Sequence, residues 1–191
     1  VAAQQLDIAG VLGSTLLALL FGAPAAHALA RARRPPRRLL LFILSTRMAP
    51  PIAVLIPFYV LFFDLGLLDT VGGLILVYFP LNLSLVIWLM RGYVLEVPAD
   101  LEEAAQTEGT SRLGALWRVT LPLCAPGLAA TAVFALLFSW GEFVLATMLT
   151  TSEARTAPVG IYAFLTFRQV VWGKLAAAGV LVALPIMVVV L

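Results

Sequence analysis

Five long apolar runs leave this chain few ways to fold. They lie at residues 8–30, 39–63, 71–90, 123–149 and 175–191. Each is close to the roughly 20 residues that a helix needs to cross about 30 Å of hydrocarbon. Lipid cannot hydrogen-bond a peptide group, so such runs must form helices or a closed barrel. Their continuous apolar character, without the alternation of barrel strands, predicts helices.

Composition excludes several classes of function. Of the 191 residues, 62% are hydrophobic and only 12% are charged, whereas soluble domains are about 25% charged. This predicts an all-α polytopic membrane protein whose first partner is the lipid bilayer. The net charge is only +2, and the basic residues flank apolar runs, so we expect no nucleic-acid partner. One cysteine and one histidine allow neither an internal disulfide nor the usual metal site.

The basic residues predict the orientation of the chain. Eight of them flank the loops after the first and third runs: Arg31, Arg33, Arg34, Arg37, Arg38, Arg91, Arg112 and Arg118. Only Arg155, Arg168 and Lys174 flank the opposite loops. The arginine-rich loops are therefore expected to be cytoplasmic, with the first residue on the outer side. Because that residue is Val1, we expect the sequence to start partway into a longer chain.

A polar segment, residues 101–122, interrupts the apolar chain on the predicted cytoplasmic side. Asp100, with Glu103 three residues later, predicts a capped helix start. Gly109 predicts the end of that helix, and a second short helix is expected up to Pro122. An amphipathic loop on the membrane surface is the alternative. Its acidic first half disfavours that alternative, because the cytoplasmic leaflet attracts basic helices.

The side chains of this segment suit docking to another protein. Ala104 and Ala105 let a backbone approach closely, while Glu102 and Glu103 are expected to offer charge that sets the register. The spacing resembles the E-A-A, x3, G, x9, I-x-L-P signature of the membrane subunits of bacterial ABC importers. The matching residues are Glu103-Ala104-Ala105, then Gly109, then Val119-Thr120-Leu121-Pro122.

The resemblance extends over nearly the whole chain. RMAPPIAVLIPFYVLFFDLGLLDT, VIWLMRGYVLEVPADLEEAA, SWGEF and APVGIYAF are similar to the maltose-type carbohydrate permeases. That family commonly has asparagine at Gly141 and an aromatic residue at His27. Compared with the family, the chain is expected to lack the first transmembrane helix and the C-terminal tail.

The resemblance implies a type I ABC importer transmembrane domain, a single permease domain over residues 1–191 with five spans. It implies a multi-pass protein of the bacterial cytoplasmic (inner) membrane whose cytoplasmic coupling loop is residues 91–122. The implied partners are an ATP-binding subunit dimer, a second permease subunit and an extracytoplasmic solute-binding protein. The implied coupling residues are Glu102, Glu103, Ala104, Ala105, Gly109, Leu121 and Pro122.

ATP hydrolysis is expected on a partner subunit. The sequence has no G-x-x-x-x-G-K-[ST] phosphate-binding loop, since its Gly173-Lys174 pair is followed by Leu175. We therefore expect a transport subunit that is not an enzyme and carries no cofactor, with ATP and magnesium bound by the partner. A sugar or sugar-like solute is the first expectation. Glycerol phosphate, a polyamine or an amino acid is the alternative cargo, and a secondary transporter, a channel or a structural scaffold is the alternative class.

Polar and aromatic residues inside the apolar runs are candidates for the solute pathway. Burying a polar side chain in hydrocarbon costs a few kcal/mol, so such residues usually face the protein interior. The candidates are Arg47, Tyr59, Tyr78, Asn82, Trp140 and Glu142. Glu142 is expected either to pair structurally, for example with Arg47, or to line the pathway. The aromatic residues are expected either to stack on a sugar ring or simply to pack.

Overall fold

The computed structural model describes residues 2–32, 37–48, 50–150 and 172–190, and within them the chain forms helices and no strand. The all-α prediction is therefore confirmed for the part of the chain described. The helices, in order, are α1 Ala2–Ala30, α2 Arg37–Met48, α3 Pro51–Asp64, α4 Val71–Glu96, α5 Ala99–Thr107, α6 Arg112–Ala115, a π-helix Leu116–Thr120, α7 Leu121–Leu123, α8 Ala125–Trp140, α9 Val144–Leu149 and α10 Trp172–Val190.

The helices support two to four membrane spans. Ile8–Ala30 and Val71–Glu96 are each long and apolar enough to cross a membrane alone. Two further spans are possible if each of two bent helix pairs crosses as one unit. The fifth predicted run lies in α10, whose apolar part Ala176–Val188 is shorter than the other spans. The prediction of five spans is thus not confirmed.

The second and fourth predicted runs are interrupted rather than continuous. In the second, α2 ends at Met48 and α3 begins at Pro51, and the break falls at Pro50 and Pro51, which cannot donate backbone hydrogen bonds. In the fourth, α8 ends at Trp140 and α9 begins at Val144. The third run continues as helix to Glu96, six residues past its predicted end at Met90.

Contacts divide the chain into two compact units, each described here separately. The first unit is Val1–Ser14, Pro50–Tyr78 and Leu136–Leu191; the second is Thr15–Ala49 and Phe79–Ala135. The second unit has a buried apolar core built mainly from α1, α4 and the segment that leads into α8. Its members are Ala18, Ala23, Ala26, Val86, Met90, Val94, Val97, Leu116, Leu121, Cys124 and Ala135.

Small side chains allow α1 and α4 to pack closely in the second unit. A Cβ atom added at Gly22 would lie 2.6 Å from Cγ1 of Val86, which is closer than carbon atoms approach in proteins. By contrast, a Cβ atom added at Gly92, within α4, would meet nothing within 4 Å. The two helices therefore depend on the missing side chain at position 22 and not at position 92.

These two glycines give a matched test of the α1–α4 contact. We expect Gly22→Ala to destabilise the protein by roughly 1–3 kcal/mol, because the added methyl group forces the helices apart. Gly92→Ala should be neutral or stabilising by up to about 1 kcal/mol, because alanine is the better helix former. Thermal denaturation of the detergent-purified complex measures both. An equal effect of the two substitutions would contradict close packing at Gly22.

Candidate functional site

The predicted docking segment forms two short helical pieces joined by a turn. The first, α5, begins at Ala99 with Pro98 at the N-cap position, and no side chain caps it. The predicted capping box is therefore wrong: Asp100 lies inside the first turn, where its charge favours the positive end of the helix dipole. The predicted break is confirmed, since α5 ends at Thr107 and Gly109 has φ +92°, a conformation that costs other residues about 1–2 kcal/mol.

The two neighbouring glutamates of α5 differ in their exposure to solvent. Glu103 is exposed, as are Ala104 and Gly109. Glu102 is only 5% exposed and is the one residue of α5 that is buried. The expectation that both glutamates offer charge to another protein is corrected: only Glu103 presents its carboxylate at the surface.

The buried carboxylate of Glu102 accepts hydrogen bonds from three side chains. Arg31, the residue directly after α1, donates to Oε1 through Nε at 3.0 Å and Nη2 at 2.8 Å. From the π-helix, the Thr120 hydroxyl donates to the same oxygen at 2.6 Å. His27, in the last turn of α1, lies with Nε2 2.9 Å from Oε2. Both oxygens are thus satisfied, and the three segments meet at one carboxylate. We call His27, Arg31, Glu102 and Thr120 the Glu102 cluster.

Arg31 also ties the start of this segment to α1. Its Nη2 donates to the backbone carbonyl of Val97, at the end of α4, at 2.9 Å. The sequence indicated only a topology-determining charge at this position. A buried carboxylate elsewhere in the chain is the partner that sequence analysis missed. The available signal was helical phase: Glu102 shares its face with half-buried Ala105 and Gln106, three and four residues later.

The Glu102 carboxylate stays ionised at neutral pH. Burial raises its pKa, but the hydrogen bonds from Arg31, Thr120 and His27 outweigh this and hold the pKa below its usual value of 4.5. A carboxyl group whose folded pKa is depressed stabilises the fold above its unfolded pKa. That stabilisation is lost as the pH falls through the folded value. At neutral pH the Glu102 carboxylate therefore contributes this stabilisation in full.

A cavity of about 690 Å³ lies beside the Glu102 cluster in the second unit. His27, Arg31 and Glu102 form part of its lining, with Glu103 and Arg112 also on its walls. Both cationic and anionic side chains line this cavity, so its wall has no single sign of charge. The cavity separates much of α5 and α6 from the end of α1, and the polar cluster bridges the two sides.

Two candidate pathway residues lie in the second unit. Arg47, near the end of α2, donates from Nη1 to the carbonyl of Leu81 at 3.0 Å. The next residue, Asn82, is 2% exposed within α4. The structure therefore brings Arg47 beside the part of α4 that carries Asn82. Both remain candidates for the pathway.

The other four candidates lie in the first unit. Tyr78 is 1% exposed on α4, whereas Tyr59 on α3 is 43% exposed. Trp140 is buried at the end of α8, and its indole nitrogen donates to the carbonyl of Val182 at 3.2 Å. This hydrogen bond joins α8 to α10 and favours the packing role for Trp140.

Glu142 acts on the helix that follows it. Its carboxylate accepts from the backbone nitrogen of Leu145 at 3.2 and 3.0 Å and from that of Ala146 at 3.1 Å. These N–H groups belong to the first turn of α9, which has no helical partner for them. Its pairing with Arg47 stays a prediction, because the two residues lie in different units.

Removing the Glu142 carboxylate should therefore loosen α9. We expect Glu142→Ala to cost about 0.5–2 kcal/mol, the usual penalty for losing such a cap, with faster hydrogen exchange at the amides of Leu145 and Ala146. Glu142→Gln keeps one acceptor oxygen and should show a smaller change. Hydrogen-exchange mass spectrometry of the purified complex measures both. Unchanged exchange in the alanine variant would contradict the capping role.

Comparisons with known proteins agree with the helical architecture and with the motif. A family model described as "Binding-protein-dependent transport system inner membrane component" matches residues 18–191. The crystal structure of a bacterial ABC transporter involved in the import of the acidic polysaccharide alginate superposes with a TM-score of 0.76. The identity is 27%, over 98% of this chain and 71% of that chain.

Two curated relatives are similar over most of this chain. The probable ABC transporter permease protein y4oR of Sinorhizobium fredii is 39% identical, over 91% of this chain and 62% of its own length. The trehalose transport system permease protein SugB of Mycobacterium tuberculosis is 38% identical, over 93% of this chain and 66% of its own length. The chain thus spans about two thirds of the length of these relatives. It is a membrane protein and belongs to the family of binding-protein-dependent transport system inner membrane components.

Proposed function

We propose that this chain is part of the permease subunit of an ATP-driven, binding-protein-dependent importer of type I. In this role its helices form half of the solute pathway. Residues 91–122 act as a cytoplasmic coupling loop that docks on a separate ATP-binding subunit. A second permease subunit completes the pathway, and an extracytoplasmic binding protein delivers the solute. Family membership supports this proposal, and so does the geometry of the 99–123 segment.

The arrangement of the signature residues carries the proposal. Glu103, Ala104 and Gly109 are exposed together on one short helix and its turn. Leu121, at the far end of the signature, is 9% exposed and belongs to the core of the second unit. The signature thus has one part at the surface, suited to a partner's groove, and one part that anchors the segment. A loop that only rested on lipid would have no need of an exposed acidic helix.

A sugar or sugar-like solute is the cargo that we propose. The relative from Mycobacterium tuberculosis is named for trehalose transport, and the solved relative for import of alginate. Both are carbohydrates, one neutral and one acidic. Tyr59, which is 43% exposed on α3, offers an aromatic face of the kind that binds sugar rings.

The geometry of Glu142 gives no support to a secondary transporter. In that mechanism its carboxylate would bind a proton or an ion inside the membrane. Both of its oxygens instead accept backbone N–H groups of α9. An ion would have to compete with these bonds and would uncap the helix.

Reversing one exposed charge tests the docking proposal. We expect Glu103→Lys to reduce solute uptake and solute-stimulated ATP hydrolysis at least tenfold in the reconstituted full-length complex. The substitution places a cation in a groove that accepts the Glu103 carboxylate. A contact between like charges at a buried interface costs more than about 1.4 kcal/mol, which is a factor of ten in binding. Co-purification of the ATP-binding subunit in mild detergent measures the loss of docking directly.

Asp64→Lys provides the matched control for this experiment. Asp64 is also an exposed carboxylate, but it ends α3 on the side predicted to face away from the cytoplasm. The same change of charge there should leave co-purification and ATP hydrolysis unchanged. Normal uptake and normal co-purification by Glu103→Lys would overturn the docking proposal.

A further inference from the structure

The α5 helix, residues Ala99–Thr107, is attached to the rest of the chain in an unusual way. None of its side chains belongs to the apolar core of the second unit. Its one buried residue is charged Glu102. Short helices in proteins normally owe their stability to a packed apolar face, and the inward face of α5 offers only half-buried Ala105 beside Glu102. The helix also contacts α6 and the π-helix, but its side-chain bonds to the end of α1 are those that Glu102 makes.

Those bonds run to two different elements. His27 belongs to the last turn of α1, and Arg31 directly follows that helix, with its backbone nitrogen donating to the His27 carbonyl. Arg31 holds Glu102 with two donors of one guanidinium group, and His27 lies against the other carboxylate oxygen. Thr120 belongs to the π-helix that leads into α8. A charge-assisted, two-donor contact is both stronger and more directional than a neutral hydrogen bond. It resists rotation and sliding of α5 against α1, which a single hydrogen bond would permit.

The neighbouring cavity increases the importance of this connection. About 690 Å³ of space lies between the end of α1 and the α5–α6 region, so direct packing there is incomplete. A push on the exposed face of α5 can reach α1 through Glu102, or it can be absorbed by movement into the cavity. The rigidity of the cluster decides between these outcomes, because coupling is carried by connected bonds and rigid elements.

We propose that Glu102 is a positioning residue that joins the coupling helix to α1, so that displacement of α5 by the ATP-binding subunit moves the cytoplasmic end of α1 with it. This inference rests on the proposed docking function of the exposed face. It adds that the inward face transmits the movement. Arg31 holds the Glu102 carboxylate from the end of α1, and Thr120 holds it from the π-helix.

The first test compares two carboxylate-to-amide substitutions in the reconstituted full-length complex. Glu102→Gln keeps the shape of the side chain and removes the charge that strengthens its bonds. Asp64→Asn makes the same change at an exposed carboxylate outside the coupling loop. We expect Glu102→Gln to retain the co-purifying ATP-binding subunit and ATP hydrolysis, while solute taken up per ATP falls about fivefold or more, the lower end of usual coupling effects. Asp64→Asn should match the wild type.

An unchanged ratio of uptake to hydrolysis in an assembled Glu102→Gln complex would overturn the inference. A second measurement covers the case in which that variant does not assemble. Spin labels at Ala28 on α1 and Leu101 on α5, both exposed, report the distance between the two helices in otherwise wild-type protein. We expect this distance to agree within about 2 Å between the nucleotide-free and vanadate-trapped states, since a rigid joint moves as one body.

A change in that distance of about 5 Å or more, one helical turn, would show that α5 slides against α1 and would overturn the inference. The same label pair in an Arg31→Lys protein should give a broader distance distribution, because lysine lacks the forked pair of donors. Failure of the underlying function has a different signature. In that case no ATP-binding subunit co-purifies with the wild type or with Asp64→Asn.

Discussion

A peptide group inside hydrocarbon has no water to bond, so each break in a spanning helix needs a partner from the protein itself. The break after Trp140 meets this need through the Glu142 carboxylate, which accepts the first N–H groups of α9. Side-chain donors in the apolar runs need acceptors for the same reason. Trp140 donates to the carbonyl of Val182 in α10, and Arg47 donates to the carbonyl of Leu81 in α4. These polar side chains are thus paired with backbone groups.

Outside the apolar runs a polar group takes part in anchoring the chain. The 99–123 segment is polar, and the inward face of its first helix presents Ala105 and the Glu102 carboxylate. The ionised carboxylate, surrounded by donors, adds to the small hydrophobic contact that this face can make. Such a cluster gains stability only when every oxygen is satisfied, because removing one partner leaves a buried charge uncompensated. Glu102 fulfils this condition, since Arg31 and Thr120 donate to one oxygen and His27 lies against the other.

Hydropathy located the helices well but did not predict their breaks. The first and third runs coincide with α1 and α4 because a continuous apolar run has one stable form in lipid. The break at Pro50 and Pro51 has a visible cause in the sequence, because neither proline can donate a backbone hydrogen bond. The break after Trp140 was missed, because a hydropathy average does not register one glycine and one carboxylate.

In the docking segment, too, some features were predictable from the local sequence and others were not. Gly109 was predictable because a left-handed backbone has a strong local preference for glycine. The contrast between Glu102 and Glu103 was not, because two adjacent glutamates differ only in helical phase and in what lies opposite. That partner, Arg31, is 71 residues away along the chain. Contacts of this kind are set by tertiary structure and leave no local pattern.

The two faces of α5 tolerate substitution differently. Thr107, at the end of the helix, is exposed, so another side chain there alters the surface without leaving a buried charge unpaired. Glu102 has no such freedom, because an apolar side chain in its place would leave Arg31 and Thr120 without their acceptor. One helix thus combines a surface that is open to substitution with an inward carboxylate that is not.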